Sequence, residues 1–294
     1  MNKPGPIVTA LVVVVLTLVW GCTWAAIRIG LESVPPFTGA ALRFLVAAVA
    51  LFLVAAFLRV RHGTTPTERK LWVSVTLFSF VGSYAIVYYC EQYIPSGLAS
   101  VLFATFPLAT ALLAHLFLPG ERLTGGRLLG ILLGFSGVAV IYSEDLSALG
   151  GSEVTRAAAI MLFAPLCAAI NQTFVKRWGK GINPFALTST PMAMAALILA
   201  GMALLLERGQ PVDLTPTAVT TILYLGLFGS ALTFTLYYWL LSFYSSTKLA
   251  LVAFGTPVVA VSVGAIFLDE AWTARTVVGS VLVVIGVAVA TLRR

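Results

Sequence analysis

Residues 88–96 read YYCEQYIPS, and residues 237–246 read YYWLLSFYSS. Each tyrosine pair follows one apolar run and precedes another that carries an interior proline, Pro107 in the first case and Pro257 in the second. The tyrosine pairs lie 149 positions apart in a chain of 294 residues, which places one pair in each half. A recurrence of this kind indicates an internal duplication.

The composition indicates that the duplicated chain lies in a membrane. Hydrophobic residues make up 60% of it and charged residues 10%, against about 25% charged residues in an ordinary soluble domain. A bilayer core about 30 Å thick needs about 20 apolar residues per helix. We therefore predict an all-α integral membrane protein with ten transmembrane helices, near residues 7–27, 37–58, 71–92, 96–118, 125–143, 156–178, 184–206, 216–241, 246–268 and 274–292.

A transmembrane β-barrel does not fit the same apolar runs. Its strands would be about 10 residues long and would alternate in polarity. Stretches such as ALVVVVLTLVW (10–20) and VVGSVLVVIGVAVATL (277–292) do not alternate. Helices also satisfy their own backbone hydrogen bonds, which lipid cannot do for them.

The distribution of basic residues predicts the orientation of the helices. With the N-terminus inside, most Lys and Arg residues fall in the inner segments, as the positive-inside rule requires. We therefore expect a multi-pass protein of the bacterial inner membrane with both termini in the cytoplasm. The inner segments hold Lys3, Arg59, Arg61, Arg69, Lys70, Arg122, Arg127, Lys176, Arg177, Lys180, Lys248, Arg293 and Arg294, and the outer segments hold Arg28, Arg156, Arg208 and Arg275.

The net charge and the cysteines indicate neither a nucleic-acid partner nor a disulfide framework. The charge of +7 is not accompanied by a basic patch with interleaved aromatic residues outside the spans. Cys22, Cys90 and Cys167 are odd in number and fall in apolar spans. We expect them to act as small packing residues.

The duplication extends over most of both halves. At offsets of 148 to 150 the alignment matches PPF (35–37) with NPF (183–185), and GERLTGGRLLG (120–130) with DEAWTARTVVG (269–279). GVAV also occurs twice, at 137–140 and at 286–289. In the first half, Gly130 and Gly134 form a G-x-x-x-G pair, which is typical of close helix packing.

The number of spans predicts that the second half is inverted. Each half holds five spans, and because five is odd, the second half must enter the membrane from the opposite side. Inverted repeats recur in secondary transporters, with the substrate site near the midplane where the repeats meet. We therefore expect repeats at 1–146 and 147–294 around a central cavity. A channel or membrane scaffold built by duplication is the alternative.

Several motifs carry a resemblance to a known family. They are WG at 20–21, the PPF…ALRF entry to the second span, and residues 94–141, which read IPSGLASVLFATFPLATALLAHLFLPGERLTGGRLLGILLGFSGVAVI. They resemble the EamA-like branch of the drug/metabolite transporter superfamily, and the pattern recurs at 246–290. The resemblance implies a ten-helix metabolite transporter, often an amino-acid exporter. Within the branch the chain is similar to the YddG-type aromatic amino-acid exporters.

Polar and aromatic side chains within the spans are candidates for substrate binding. Tyr84, Tyr88 and Gln92 are spaced i, i+4, i+8 and share one helical stripe. Polar groups facing lipid are costly, so this stripe should face a cavity or a neighbouring helix. In the second half, Tyr237 and Tyr238 repeat the tyrosine pair at 88 and 89.

The first and sixth spans offer further candidates. Trp20 and Trp24 supply indole rings that stack on an apolar substrate or fill the core. Asn171 and Gln172 hold either a substrate's amino or carboxylate group or a neighbouring helix. Arg43 is the only basic residue well inside a span, and it pairs with a substrate carboxylate or has a structural role.

Two prolines at matching positions predict bends in the fourth and ninth helices. Pro107 and Pro257 each remove one backbone hydrogen bond within a predicted helix. A symmetric pair of bent helices is suited to serve as hinges in a rocking mechanism. Ordinary kinked packing explains either proline alone.

These observations together predict a membrane transporter and not an enzyme. It would export small amphipathic metabolites, with aromatic or apolar amino acids first, by alternating access. No Asp or Glu lies at the centre of a span, which favours facilitated export, although coupling through His115 or Glu91 stays open. We expect no catalytic residues, no metal and no cofactor, and a small molecule and the lipid bilayer as partners. A proton-coupled exporter of other metabolites or drugs is the alternative, and both a monomer and a dimer remain open.

Overall fold

The computed structural model describes residues 3–60, 63, 65–94, 96–141, 152–267 and 274–292. Within these ranges every regular element is helical. Six helices are long and apolar enough to cross a membrane, and shorter apolar helices occupy the other predicted segments. The helices fall on each of the ten apolar segments predicted from the sequence, so the prediction of an all-α integral membrane protein is confirmed.

Several spans consist of more than one helical segment. We number the α-helices in chain order and call the two wider segments π1 and π2. The segments are α1 (Pro6–Leu31), α2 (Pro36–Phe57), α3 (Pro66–Ser74), π1 (Val75–Ser83), α4 (Tyr84–Cys90), α5 (Ser96–Phe103), α6 (Phe106–Phe117), α7 (Gly125–Ile141), α8 (Ser152–Met161), α9 (Phe163–Trp178), α10 (Ser189–Leu206), α11 (Pro216–Gly226), π2 (Leu227–Leu232), α12 (Thr233–Leu241), α13 (Ser246–Ala250), α14 (Val252–Phe267) and α15 (Ala274–Leu292).

The third and eighth spans each contain a π-helical stretch. π1 ends directly before Tyr84, and π2 ends directly before Thr233, which is the residue that the sequence repeat aligns with Tyr84. A π-helix widens the turn and is uncommon, and it occurs often at functional sites. The two halves therefore share a local distortion as well as a sequence pattern.

The two matched prolines lie in different local settings. Pro107 is the second residue of α6, and two non-helical residues separate this helix from α5. The first turn of a helix tolerates proline because its N–H needs no partner there. Pro257 lies inside α14, and the break in that span falls at Leu251 instead. The use of these prolines as hinges stays a prediction.

The helices of one half pack mainly on helices of the other. The pairs are reciprocal: α1 packs on α14 and α9 packs on α6, while α2 packs on α10 and α7 packs on α15. The last pair is very close, since a Cβ on Gly130 would lie 2.4 Å from the backbone nitrogen of Ala290. The G-x-x-x-G pair at 130 and 134 thus serves helix packing, as predicted.

Two buried carboxylates also join the halves outside the spans. Glu207 accepts hydrogen bonds from the backbone N–H groups of Phe37 and Thr38, at 2.5 and 2.9 Å, at the start of α2. Glu121 accepts one from the backbone N–H of Ser246, at 2.8 Å, at the start of α13. Each acid supplies an acceptor at a helix N-terminus, where backbone donors lack partners.

The predicted boundary between the repeats, at 146 and 147, lies outside the described residues.

Candidate functional site

A cavity lies between six of the spans, three from each half. Its volume, including the open end, is about 840 Å³. The lining residues are Trp20, Thr23, Trp24, Ile27, Ser79, Ser83, Tyr84, Val87, Phe103, Phe106, Ala168, Asn171, Gln172, Phe234, Tyr237, Tyr238, Ala250, Ala253 and Thr256.

Aromatic rings form much of the cavity wall. The Trp20 ring lies 5.5 Å from the ring of Phe234 and 5.2 Å from that of Tyr237, measured between centroids. The Trp24 ring meets Phe103 edge-on at 5.6 Å. These separations are typical of favourable aromatic pairs. The rings therefore hold one another in fixed orientations around the cavity.

Two adjacent amides and two adjacent tyrosines interlock in the cavity wall. Asn171 Nδ2 donates to the Tyr238 hydroxyl at 2.9 Å, and the Tyr237 hydroxyl donates to Gln172 Oε1. Gln172 Nε2 also donates to the carbonyl of Ser246 at 2.8 Å. These bonds join α9 to α12 and α13, so the polar groups are satisfied although all four side chains also line the cavity.

Seven of the residues predicted to bind substrate meet at this cavity. α1 supplies the two tryptophans, α4 supplies one tyrosine, and α9 and α12 supply two residues each. The predicted residues that line the cavity are Trp20, Trp24, Tyr84, Asn171, Gln172, Tyr237 and Tyr238, and those that do not line it are Arg43, Tyr88 and Gln92.

Arg43 lies behind the cavity wall. The side chain is 0% exposed, and its guanidinium donates from Nε to Ser230 Oγ at 2.7 Å and from Nη2 to the carbonyl of Gly229 at 3.0 Å. Both acceptors belong to π2. Nη1 has no partner among the described residues. Arg43 therefore connects α2 with π2, next to a residue of the wall.

Only the first member of the Tyr84, Tyr88 and Gln92 stripe lines the cavity. Tyr88 is 3% exposed and packs beneath Gly39 of α2, where a Cβ would lie 3.4 Å from its ring. Gln92 donates to the carbonyl of Tyr89 at 3.1 Å at an exposed position. α4 ends at Cys90, so Gln92 lies beyond the helix and the i+8 spacing no longer places it on the stripe.

Several lining residues were not predicted from the sequence. Ser79 and Ser83 come from π1, and Phe103 and Phe106 flank the break between α5 and α6. The two serines stand four residues apart within an apolar span, which is a signal that sequence reasoning could have used. The phenylalanines carry no such signal, because apolar side chains occur on every face of these helices.

The cavity wall is free of formal charge. Its residues are aromatic, aliphatic, hydroxyl or amide side chains, and no Asp, Glu, Lys, Arg or His stands among the described lining residues. Charge is expensive at this depth of a membrane protein and normally marks a site for an ion or a charged substrate. The wall is therefore suited to a ligand with no net charge.

One buried acid lies just beyond the cavity's Val87. Glu91 follows the end of α4, is 0% exposed, and neither of its carboxyl oxygens has a hydrogen-bond partner among the described residues. Burial raises the pKa of the Glu91 carboxyl well above its usual range, although Arg28 and Arg43 oppose the shift. Arg28 binds the backbone carbonyl of Glu91, with Nη1 at 2.5 Å. Glu91 is thus a buried acid one helical turn beyond a residue of the cavity wall.

The fold and the cavity define a multi-pass membrane protein with a central cavity between its two halves. The sequence profile of the EamA-like transporter family matches residues 7–143 and again 155–292. The chain belongs to the EamA-like transporter family. Membership in this family indicates a membrane transporter.

Relatives agree with this assignment, and a solved structure agrees with the fold. The chain is 26% identical over 275 residues to the uncharacterized transporter YoaV of Bacillus subtilis, covering 94% of each chain. It is 30% identical over 299 residues to the probable amino-acid metabolite efflux pump of Escherichia coli, covering 97% of this chain and 94% of that one. A solved crystal structure has the same fold, with a TM-score of 0.80 at 21% identity over 96% of each chain.

Proposed function

We propose that the protein exports amino acids with aromatic or apolar side chains across the bacterial inner membrane. The observation that carries this proposal is the uncharged, aromatic cavity between the two halves. An amino acid is a zwitterion with no net charge, so it needs polar partners without needing a counter-ion. The probable efflux pump of Escherichia coli, which is 30% identical, supports the class of substrate.

The cavity wall supplies groups for both ends of such a substrate. The rings of Trp20, Trp24 and Phe234 offer stacking surfaces to an aromatic or apolar side chain. Trp20 Nε1 is a buried donor without a partner among the described residues, and a carboxylate would satisfy it. The side-chain oxygen of Asn171 is within reach of an amino group if its weak bond from Ser74, at 3.5 Å, is released.

Alternating access is the mechanism that the arrangement of the halves supports. The reciprocal packing of α1 on α14 and of α9 on α6, and the two π segments at matching positions, agree with two inverted repeats at 1–146 and 147–294. In such repeats one bundle rocks against the other around a fixed central site. The breaks near Pro107 and at Leu251 would let the fourth and ninth spans bend.

Transport without a coupling ion is the simplest form of this mechanism. Among the described residues that line the cavity, none carries a carboxylate that could exchange a proton for substrate. Amino acids accumulated in the cytoplasm would then leave down their own gradient. Proton-coupled export is the second candidate, and the observation that favours it is the buried carboxyl of Glu91 beside the cavity.

Reconstituted liposomes test the proposal directly. Vesicles that contain the purified protein should take up labelled phenylalanine or tryptophan faster than empty vesicles, with saturation and with counterflow against unlabelled substrate. Tyr84→Ala should reduce the rate because Tyr84 lines the cavity. Tyr93→Ala is the matched control, since Tyr93 is 38% exposed and does not line it.

Each result separates the candidate functions. Saturable counterflow supports a carrier. Ion currents that do not saturate would instead show that the protein is a channel. Equal uptake by protein-containing and empty vesicles for all twenty amino acids would remove amino acids as substrates. Unchanged uptake by the Tyr84→Ala variant would remove Tyr84 from the site.

A further inference from the structure

A second cavity opens on the surface of the helical bundle. We call it the lateral groove; it lies between the end of α2, π2 with α12, and the segment before α10, and its volume including the open side is about 1,210 Å³. It shares no lining residue with the central cavity. Its lining residues are Ala50, Leu51, Val54, Leu58, Val60, Asn183, Pro184, Phe185, Leu227, Ala231, Leu232, Thr235, Leu236 and Trp239.

The groove is largely apolar, and two of its polar atoms already have hydrogen-bond partners. Thr235 Oγ1 donates to the carbonyl of Ala231 at 2.7 Å, and Asn183 Oδ1 accepts from the backbone N–H of Phe185 at 3.0 Å. Leu58 and Leu232 are exposed at its margin, at 54% and 39%. A hydrocarbon chain in the groove would cover mainly apolar surface.

The groove lies at the depth of one leaflet of the bilayer. α2 crosses the membrane and ends at Phe57, and the groove is lined by the last two turns of α2 and by Leu58 and Val60 beyond it. Its mouth is therefore at the level where the headgroups of that leaflet begin. An acyl chain that entered the groove would carry its headgroup to the end of α2.

Arg59 stands at this mouth, between the lining residues Leu58 and Val60. Its φ of 51° is the only positive φ among the described residues other than glycine. The backbone N–H of Val60 donates to the carbonyl of Ala55 at 2.8 Å, which closes the helix in the manner that usually places glycine at the left-handed position. Arginine occupies this position despite the steric cost of its Cβ.

The guanidinium of Arg59 is available to a ligand. The side chain is exposed, and no hydrogen bond or ion pair holds it among the described residues. A basic side chain near a membrane surface attracts anionic lipid, at about 1 kcal/mol per residue. Arginine also binds phosphate with two parallel hydrogen bonds.

We propose that the lateral groove is a binding site for an anionic phospholipid, with one acyl chain in the groove and the phosphate on Arg59. The apolar lining selects a hydrocarbon chain, and the free guanidinium selects a negatively charged headgroup over a zwitterionic one. This site is independent of the transported substrate. The proposal of a lipid site is the same whether the central cavity carries an amino acid or another metabolite.

Trp239 provides a reporter inside the groove. The full-length protein is reconstituted in phosphatidylcholine with a small, equal mole fraction of either brominated phosphatidylglycerol or brominated phosphatidylcholine. Bromine quenches tryptophan fluorescence at close range, and subtracting the signal of Trp239→Phe isolates the contribution of Trp239. We expect brominated phosphatidylglycerol to quench this contribution with an apparent affinity about fivefold higher than that of brominated phosphatidylcholine.

Variants at position 59 separate charge from backbone conformation. Arg59→Gly suits the positive φ and so preserves the fold, but it should abolish the preference for phosphatidylglycerol. Arg59→Lys keeps the charge and should retain most of the preference. Ala50→Phe should lower quenching by both lipids because it fills the groove.

Two results would overturn the proposal. Equal quenching by the two brominated lipids in the wild-type protein would mean that only bulk lipid contacts the groove. A preference that survives Arg59→Gly would mean that the headgroup binds elsewhere. Neither result bears on amino-acid transport, which is measured separately.

Discussion

The guanidinium carbon of Arg43 lies 4.5 Å from the centre of the Tyr84 ring. Arg43 belongs to α2 and Tyr84 to α4, and the guanidinium also binds Ser230 and Gly229 in π2. Tyr84 lines the cavity, whereas Arg43 does not. The geometry therefore makes Arg43 a positioning residue, which holds a ring of the cavity wall against the other half.

Replacing Arg43 by lysine tests this role. Lysine keeps the charge but cannot reproduce the two directed bonds to Ser230 and Gly229. A hydrogen bond to a charged group contributes about 1.5–3 kcal/mol, so the variant should be destabilised by about this amount. Thermal unfolding in detergent measures the loss, and transport kinetics should show a lower maximal rate with a smaller change in KM.

An exposed arginine supplies the control for this substitution. Arg208 lies just beyond the end of α10 and donates from Nε to the carbonyl of Leu204 in that helix. Arg208→Lys should leave stability and transport unchanged. A large rise in KM for Arg43→Lys at normal stability would instead assign Arg43 to the substrate's carboxylate. That result would contradict the positioning role.

The ten spans were predictable because lipid imposes a simple requirement on the sequence. Each crossing needs about 20 apolar residues, and segments such as 37–58 and 216–241 meet it without reference to any partner. The observed helices α2 and α11 to α12 occupy these segments. The tryptophans of α1 and the amides of α9 were also identifiable, since polar or indole groups within a span are rare and conspicuous.

The position of Arg43 relative to the cavity could not be derived in the same way. Its partners, Ser230 and Gly229, lie 187 and 186 positions away in the sequence, and nothing local indicates that contact. The π segments were also missed, because they depend on how the backbone accommodates packing and have no compositional signature. Gln92 was assigned to the stripe because the periodicity was extended beyond Cys90, where α4 ends.

The interlocked tyrosines and amides should behave as coupled pairs. Tyr237→Phe removes the donor to Gln172, and Gln172→Leu removes the acceptor. Because each single change already breaks the bond, the double variant should lose less stability than the sum, by about 0.5–1.5 kcal/mol. The wild type, the two single variants and the double variant form a double-mutant cycle. Their free energies of unfolding give the coupling energy between Tyr237 and Gln172.

A second cycle provides the comparison for the first. Asn171→Leu and Tyr238→Phe break the 2.9 Å bond of the neighbouring pair and should be coupled to a similar extent. Strict additivity in both cycles would contradict the arrangement of bonds between α9 and α12.

The inverted repeat predicts opposite exposure for two aligned turns. Position 122 follows the fourth span, and position 269, which lies outside the described residues, follows the ninth. In a variant in which Cys22, Cys90 and Cys167 are replaced by serine, a cysteine at 122 should react only from the cytoplasm. A cysteine at 269 should react only from outside.

Membrane-impermeant thiol reagents applied to intact cells measure this difference. The variants Lys3→Cys and Lys180→Cys provide references for the cytoplasmic side, as the positive-inside rule predicts. Arg208→Cys provides the reference for the outside. Labelling of positions 122 and 269 from the same side would contradict the inverted repeat and also the alternating-access mechanism that depends on it.

Glu91 should make the stability of the protein depend on pH. Its pKa in the folded protein is raised by burial, so the folded state keeps a proton that the unfolded state releases. Between the ordinary pKa of glutamate, about 4.3, and the raised value, the folded state binds more protons than the unfolded state. The free energy of unfolding therefore falls as pH rises through this interval.

Glu91→Gln isolates this effect because glutamine resembles the protonated acid and does not titrate. The wild-type protein should match the variant near pH 4 and become progressively less stable than it toward neutral pH, as thermal unfolding at each pH would measure. Other titratable groups in this region are the same in both proteins, so their contributions cancel in the difference. These groups are Arg28, Arg43, Tyr88, Cys90 and the ion pair of Glu153 with Arg156. A difference that does not change with pH would mean that Glu91 is ionised in the folded protein, paired with Arg28 or Arg43. If the raised pKa holds and transport by Glu91→Gln loses a pH dependence that the wild type shows, the proton-coupled mechanism replaces the facilitated one.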